Sequence, residues 1–326
     1  MRPRPSLLER AADVYDFGAA MRARDGEMPE SAPAPVLEPL AVEQPVEPAR
    51  TPPAAAPFVA AAPVEVTPTP AVEPEAPPYR PAGPIEAVDV DGLREGGYIV
   101  PDAPVSALSE EFRIVKRQLL LAAFGGQGTD PIENGRVILV SSAQPNEGKT
   151  WCAVNLALSM AAERDIDIVL VDADFAKPEI LSTLGLPGGP GIIDGLEDPS
   201  IDLEACIIRT DIRNLSVLPA GKTSNATSEL LAAGRSRRLL DALLAGHPRR
   251  VVIFDSPPAL AASVASELSL HAGQLLMVVR ADRTSEAELR EAVLMLGHCP
   301  NIQLMLNAVE FAQSGRRFGS YYGYGS

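Results

Sequence analysis

Residues 136–150 read Arg-Val-Ile-Leu-Val-Ser-Ser-Ala-Gln-Pro-Asn-Glu-Gly-Lys-Thr. An apolar run with the character of a strand leads into a loop that ends in Gly-Lys-Thr, and a helix is expected to follow it. In this arrangement the backbone N–H groups of the loop and the N-terminus of the helix bind phosphate oxygens. The segment therefore predicts a phosphate-binding loop between a buried strand and a helix.

The rest of the folded region continues this alternation of strands and helices. Continuous apolar runs, typical of strands covered on both faces, are found at 136–140, 167–171, 215–218, 251–254, 275–279 and 302–306. Helices are expected over 109–120, 149–163, 235–246, 260–270 and 284–297. The pattern predicts an α/β fold like that of the P-loop NTPases, with three layers, α/β/α, and a mostly parallel central sheet.

Composition divides the chain into four parts. Residues 1–26 carry a short amphipathic pattern that is compatible with a helix or with a frayed terminus. Residues 27–87 are rich in Pro, Ala and Glu and predict a disordered linker, either a plain spacer or a docking segment. Residues 88–312 form the predicted folded domain, and residues 313–326 form a flexible tail.

The side chains of the loop predict how a nucleotide is held. Lys149 is expected to bridge the β- and γ-phosphates, and the Thr150 hydroxyl is expected to bind Mg²⁺. Ala143 replaces the usual first glycine, and Asn146 stands where related loops often have glycine, but asparagine tolerates the left-handed backbone of such a turn. The predicted nucleotide contacts are Pro145, Asn146, Glu147, Gly148, Lys149, Thr150 and Trp151. Asn307, after the last apolar run, is a candidate for reading the nucleotide base or else a turn-forming residue.

Acidic residues follow two other predicted strands. Asp172 and Asp255 each end an apolar run, and Asp174 lies two residues after Asp172. Because ligands of an open parallel sheet bind beyond the carboxyl ends of its strands, we expect these carboxylates beside the phosphate loop. Together with Thr150 they predict a Mg²⁺ site that uses one or two of the carboxylates, and the spare carboxylate is the candidate base.

The last six residues hold three of the six tyrosines of the chain. Tyr321, Tyr322 and Tyr324 stand among glycines and serines in a chain with only 5% aromatic residues, so chance explains their clustering poorly. The glycines keep the backbone free of regular structure, as entry into the site of a neighbouring copy requires. Beside a phosphate loop, such a tail suggests an enzyme that phosphorylates its own kind. A disordered end without function is the alternative.

Charge and composition limit the classes of function. Most of the net charge of −15 lies before residue 112, so the folded part is nearly balanced, which disfavours an obligate nucleic-acid binder. The three cysteines are scattered, as is typical of reduced thiols in a cytosolic protein. The N-terminus leads to no apolar signal region, and no run approaches the ~18 apolar residues of a membrane span. We expect a cytoplasmic protein that reaches a membrane only through a partner.

These motifs together resemble the bacterial tyrosine kinases, P-loop kinases associated with capsule and exopolysaccharide export. The likeness rests on the phosphate loop, on Val-Asp-Ala-Asp at 171–174, on Phe-Asp-Ser-Pro-Pro at 254–258 and on the tyrosine tail, and it extends over residues 88–326. Glu-Phe-Arg-Ile-Val-Lys-Arg at 111–117 and Leu-Pro-Ala-Gly at 218–221 are similar to the exosortase-associated tyrosine autokinase branch.

The resemblance implies ATP and Mg²⁺ as cofactors and a role for each site residue. Lys149 and Thr150 match the Walker A pair, and Asp255 matches the Walker B acid. Asp172 is expected to help deprotonate the acceptor tyrosine, and Asp174 to organise Mg²⁺. The expected phosphoacceptors are Tyr321, Tyr322 and Tyr324.

The resemblance also implies partners. Glu110, Arg113 and Lys116 fall on the family's E-x-x-R-x-x-R motif, which packs subunits of a homo-oligomer into a ring. Its third residue is normally Arg, so either Lys116 or the neighbouring Arg117 takes that place. A transmembrane polysaccharide chain-length regulator is expected to activate the kinase, which puts the chain in the cytoplasm, peripheral to the inner membrane.

Three functions are compatible with the sequence. The first is an ATP-dependent protein-tyrosine autokinase that phosphorylates the tyrosine tail in trans and regulates exopolysaccharide or capsule synthesis and export. The second is a positioning ATPase of the MinD and ParA kind, whose loop carries a signature Lys where this chain has Gln144. The third is a non-catalytic, nucleotide-gated scaffold of a polysaccharide export complex, against which the retention of Lys149 and the three aspartates argues.

Overall fold

An eight-stranded sheet forms the centre of the computed structural model, which describes residues 83–309 except 127, 223–226 and 232–235. The strands are β1 (Ile85–Glu86), β2 (Val137–Ser142), β3 (Asp167–Asp172), β4 (Ile208–Thr210), β5 (Leu215–Leu218), β6 (Arg250–Asp255), β7 (Gln274–Arg280) and β8 (Asn301–Asn307). Their order across the sheet is β1-β4-β5-β3-β6-β2-β7-β8. All neighbouring pairs are parallel except β4 with β5. The predicted mostly parallel sheet is confirmed.

Helices cover both faces of this sheet. They are α1 (Val90–Glu95), α2 (Ala107–Phe124), α3 (Lys149–Ala161), α4 (Ile180–Leu184), α5 (Ile192–Glu197), α6 (Leu203–Cys206), α7 (Thr227–Leu230), α8 (Ser236–Leu244), α9 (Val264–Ser269) and α10 (Glu286–Met295). One core contains side chains of α2 and α3, and the other contains side chains of α8, α9 and α10. The predicted α/β/α layers are therefore confirmed.

The central strands are buried along their whole length. Every residue of β2 and of β6 is buried. Ile138 and Val140 pack into the core that α2 and α3 share, whereas Val137 and Leu139 pack into the other core. This division arises because successive side chains of a strand point to opposite faces. A strand with both faces covered needs apolar residues at nearly every position, which explains the continuous apolar runs.

Two strands and five short helices are not predicted by the pattern of apolar residues. β1 and β4 have two and three residues, and α1, α4, α5, α6 and α7 have four to six. Elements this short do not display the apolar period by which longer ones are predicted. The helix predicted over 260–270 begins only at Val264, because a turn precedes it in which the N–H groups of Ala261 and Ala262 donate to the Pro258 carbonyl.

The sheet begins earlier in the chain than residue 88, the predicted start of the folded domain. β1 pairs in parallel with β4, and the Arg209 guanidinium donates to the Gly83 carbonyl at 3.2 Å. Residues 1–26, the tail 313–326 and most of the predicted linker lie outside the described residues. Within the described part, no helix combines the length and the apolar composition needed to cross a bilayer.

Helix α2 places Lys116 inside the chain, where the residue is buried. Its contact with a neighbouring subunit stays a prediction. The amine of Lys116 donates to the Ser159 carbonyl at 2.7 Å and pairs with Glu163 at 2.8 Å. The aliphatic stem of a lysine packs well against apolar surface when its amine finds such partners. Lys116 therefore ties α2 to the end of α3, and the neighbouring Arg117 is the exposed base at this place.

Candidate nucleotide-binding site

The loop between β2 and α3 has the backbone shape of a phosphate-binding loop. Asn146 and Gly148 are left-handed, with φ of 62° and 93°, and α3 begins at Lys149. The positive φ of Gly148 favours glycine, and a Cβ there would also displace the side-chain amide of Asn307. Asn146 adopts the left-handed turn for which asparagine is suited.

A cleft of about 680 Å³ opens beside this loop. The predicted residues that line it are Pro145, Asn146, Gly148, Lys149, Thr150, Trp151 and Asp174. Its volume is in the range of ~300–1,000 Å³ that is usual for small-molecule sites. Most of the predicted nucleotide contacts therefore share one concave surface.

Tyr98 also lines the cleft, although no motif of the sequence points to it. Asn155, on α3, accepts the N–H of Ile99 at 2.7 Å and donates to the Trp151 carbonyl at 2.9 Å. The rings of Tyr98 and Trp151 then lie 6.1 Å apart. Burial raises the pKa of the Tyr98 hydroxyl, which shares a hydrogen bond with Thr183. No sequence signal separates Tyr98 from a core aromatic residue, because these contacts join distant parts of the chain.

The amine of Lys149 is paired within the protein. It lies 2.7 Å from Oδ2 of Asp174 and 3.5 Å from the Thr150 hydroxyl. The side chains of Lys149 and Asp174 are only 13% and 7% exposed. Such a pair is screened much less than a surface pair. A polyphosphate that binds here has to compete with Asp174 for the amine.

Asp172 and Asp255 lie side by side at the carboxyl ends of β3 and β6. They are register partners of the parallel pair, and each residue is 1% exposed. The N–H of Ile180 donates to Oδ2 of Asp172 at 3.0 Å. Among the described residues, no hydrogen bond of normal geometry reaches the other oxygen of Asp172 or either oxygen of Asp255.

Burial shifts both carboxyls toward their neutral form. It raises the pKa of Asp172 to about 6 and the pKa of Asp255 to about 7. The nearby Lys149 amine opposes both shifts without cancelling them. A bound cation stabilises the ionised form of a desolvated carboxyl, so this end of the sheet favours additional positive charge.

The carboxylate oxygens at this end of the sheet meet part of what a Mg²⁺ site requires. Oxygen atoms are the ligands that Mg²⁺ prefers, and the unpartnered oxygens of Asp172 and Asp255 suit a cation. Within residues 83–309, as far as the structure describes them, no three acidic, histidine or cysteine side chains converge closely enough to hold a metal ion. An ion here would take further ligands from water and phosphate, as Mg²⁺ usually does. The metal ligands Thr150, Asp172, Asp174 and Asp255 stay a prediction.

Two predicted nucleotide contacts have side chains that are engaged elsewhere. Glu147 is buried, and its carboxylate accepts the N–H of Gln144 and the hydroxyl of Thr284. Asn307 donates through Nδ2 to the Glu147 carbonyl at 2.9 Å. Glu147 is therefore left with its backbone for a phosphate, and base recognition by Asn307 stays a prediction. Thr284 was missed because nothing in the sequence links it to a loop so distant along the chain.

The predicted phosphoacceptors Tyr321, Tyr322 and Tyr324 lie outside the described residues. Strand β8 ends at Asn307, which touches the phosphate-binding loop. The chain therefore leaves the sheet beside the loop before it enters its last segment.

The sequence of the chain is similar to those of bacterial tyrosine-protein kinases. It is 27% identical over 222 residues to the tyrosine-protein kinase YwqD of Bacillus subtilis, which covers 68% of this chain and 87% of YwqD. It is 31% identical over 191 residues to EpsB of Ralstonia nicotianae and 28% identical over 177 residues to the tyrosine-protein kinase wzc of Salmonella typhimurium. These two alignments cover 57% and 54% of this chain but only 25% and 23% of those proteins. The chain thus spans only a quarter of the length of some curated relatives. No family model matches it.

Solved kinase domains share its fold. The VpsO kinase domain is 28% identical, with a TM-score of 0.50 and coverage of 60% of this chain and 94% of that domain. The kinase domain of the Escherichia coli tyrosine kinase ETK is 19% identical, with a TM-score of 0.53 and coverage of 74% and 93%. At this sequence identity, the match with ETK shows only that the two chains share a fold. Homology to kinases implies nucleotide binding, whereas the exosortase-associated branch stays a prediction. In its sequence and in its fold, the chain is similar to the bacterial tyrosine-protein kinases.

Proposed function

We propose that this chain is an ATP-dependent protein-tyrosine autokinase, which converts ATP and a protein tyrosine into ADP and phosphotyrosine. The observation that carries the proposal is the meeting of Lys149 with three mostly buried aspartates beside a phosphate-binding loop. Its likeness to YwqD, over most of both chains, supports tyrosine as the acceptor. The proposed acceptors, on a neighbouring copy, are Tyr321, Tyr322 and Tyr324.

The residues of the cleft divide the chemistry among them. The loop N–H groups and Lys149 bind the β- and γ-phosphates, and the amine leaves Asp174 as the nucleotide enters. Mg²⁺, when bound, neutralises phosphate charge that the aspartates would otherwise repel. Asp172, whose pKa burial raises to about 6, is the proposed base that takes the proton of the acceptor phenol. Catalysis then consists mainly of positioning and of charge stabilisation.

Labelling with Mg²⁺ and ATP tests this function. The unchanged chain should acquire label on tyrosine, and replacing Tyr321, Tyr322 and Tyr324 with Phe should remove most of it. Tyr15, Tyr79 and Tyr98 remain in that variant and serve as internal controls. Phosphate release without tyrosine label would favour the positioning ATPase, and neither product would favour the scaffold.

Transfer between copies can be measured with two complementary variants. Lys149→Met supplies acceptor tyrosines without activity, and the triple Phe variant supplies activity without tail acceptors. Label should appear on the Lys149→Met chain only when both are mixed. A mixture without label, beside a labelled unchanged chain, would show that transfer occurs within one copy.

We also propose that the chain forms a ring and is activated in the cytoplasm, at the inner membrane, by a transmembrane chain-length regulator. Glu110 and Arg113 are available for a subunit contact, because their side chains on α2 are 29% and 61% exposed. Replacing both with Ala should shift the chain to smaller species in analytical ultracentrifugation. Lys116→Ala is the matched control, since its amine is used inside the chain. An unchanged distribution for the double variant would contradict the contact.

A further inference from the structure

The side chain of Glu147 lies in a closed set of hydrogen bonds away from the cleft. The residue is 4% exposed, and it is absent from the cleft wall that its two neighbours line. One carboxylate oxygen accepts the N–H of Gln144 at 2.9 Å, and the other accepts the hydroxyl of Thr284. That hydroxyl itself accepts the N–H of Arg280 at 3.0 Å, so its single proton is directed at Glu147. Both carboxylate oxygens therefore have partners within the protein.

Two further hydrogen bonds fix the backbone of the loop. Asn307 donates through Nδ2 to the Glu147 carbonyl at 2.9 Å, and the Arg280 guanidinium donates to the Asn146 carbonyl at 2.9 Å. In a planar trans peptide the carbonyl and the following N–H point in opposite directions. Holding these two carbonyls toward the ends of β7 and β8 therefore turns the N–H groups of Glu147 and Gly148 the other way.

We propose that Glu147, Thr284 and Asn307 form a loop clamp, a set of positioning residues that orients these two N–H groups for phosphate before a nucleotide arrives. The clamp supports a turn in which Asn146 is left-handed, a conformation that costs a non-glycine residue free energy. A loop that is already ordered loses less entropy on binding, so its affinity is higher. Glu147 thus acts through the backbone rather than as a phosphate or metal ligand. The inference rests on the nucleotide site proposed above.

Binding of ADP to the full chain, measured throughout in the presence of Mg²⁺, tests the clamp without any tyrosine transfer. Thr284→Val keeps the shape of the side chain but removes the hydroxyl that donates to a buried carboxylate. It should weaken ADP binding in calorimetry by about 10-fold, the effect of one such hydrogen bond. Thr284→Ser keeps the hydroxyl and should restore most of the affinity. Hydrogen exchange of the amides at residues 147 and 148 should be faster in the Val variant than in the Ser variant.

Asn307→Ala provides a second variant if Thr284→Val does not fold. It should also weaken ADP binding, and the double variant should lose less than the product of the two effects, because both side chains secure Glu147. In labelling assays, Thr284→Val should raise KM for ATP more than it lowers kcat.

The clamp is overturned if Thr284→Val binds ADP as tightly as the unchanged chain, or if Thr284→Ser loses as much affinity as Thr284→Val. ADP binding by the unchanged chain without tyrosine labelling would overturn the proposed kinase function alone. Absence of ADP binding by the unchanged chain would overturn both.

Discussion

Lys149→Met is expected to abolish nucleotide binding and tyrosine labelling together. The change removes the positive charge that meets the β- and γ-phosphates. Loss of one electrostatic contact to a transition state lowers the rate by about 100- to 1,000-fold. Labelling over a range of ATP concentrations measures the loss of transfer, and calorimetry with ADP measures the loss of binding.

The same substitution also affects folding, because Asp174 loses its partner. Removing one member of a buried ion pair costs about 3 kcal/mol or more of the free energy of unfolding. The double variant Lys149→Met/Asp174→Asn should recover much of this stability in urea unfolding but none of the labelling. If the double variant regains labelling, Lys149 is not the phosphate contact.

Asp255→Asn is expected to stabilise the ligand-free protein near neutral pH while it ends the labelling. Burial raises the pKa of Asp255 from 3.8 to about 7, so the folded state prefers the protonated carboxyl. Below the pKa of the unfolded state, the carboxyl is protonated in both states and does not affect the free energy of unfolding. As the pH rises from there through the pKa of the folded state, ionisation favours the unfolded chain, so the free energy of unfolding falls. Asparagine cannot ionise, so the variant should be more stable than the unchanged chain above pH 7, and the difference should shrink toward pH 4.

Urea unfolding of the two chains between these pH values measures the gain. Asp130→Asn is the control, because Asp130 is exposed and its replacement makes the same change from carboxylate to amide. A gain for Asp255→Asn that does not change with pH would mean that the carboxyl is not desolvated in the folded state. Labelling should fall in this variant because the charge that attracts a cation is gone.

Six of the eight strands can be predicted from their apolar runs. Five of them are largely buried, whereas β8 lies at the edge of the sheet with Leu304 and Leu306 exposed, although its apolar run predicts burial on both faces. β6 and β7, for example, are almost continuous apolar runs. β1 and β4 have no such run, since they are short and at least partly exposed. Their pairing depends on a partner more than a hundred positions away, as in the register of Ile85 with Arg209.

The residues of the candidate site also fall into those that the sequence predicts and those that it does not. Lys149, Asp172 and Asp255 can be predicted because each stands at a landmark of the sequence, the start of a helix or the end of a strand. Two other contacts cannot be predicted from such landmarks. They are the hydrogen bond of Lys116 inside the chain and the hydrogen bond between Thr284 and Glu147, and each depends on a partner that is distant along the chain. Spacing along the chain predicts which groups reach the cleft, and packing decides which of them stay free for a ligand.

The internal pairing of Lys149 with Asp174 sets a condition on what can occupy the cleft. An anion without a cation that draws the amine of Lys149 away leaves the carboxylate of Asp174 without a positive partner, beside Asp172 and Asp255. A ligand that carries its own cation replaces the positive charge that it takes from Asp174. The resting protein is therefore expected to reject free phosphate and metal-free nucleotide, and to admit a nucleotide as its salt with a divalent ion.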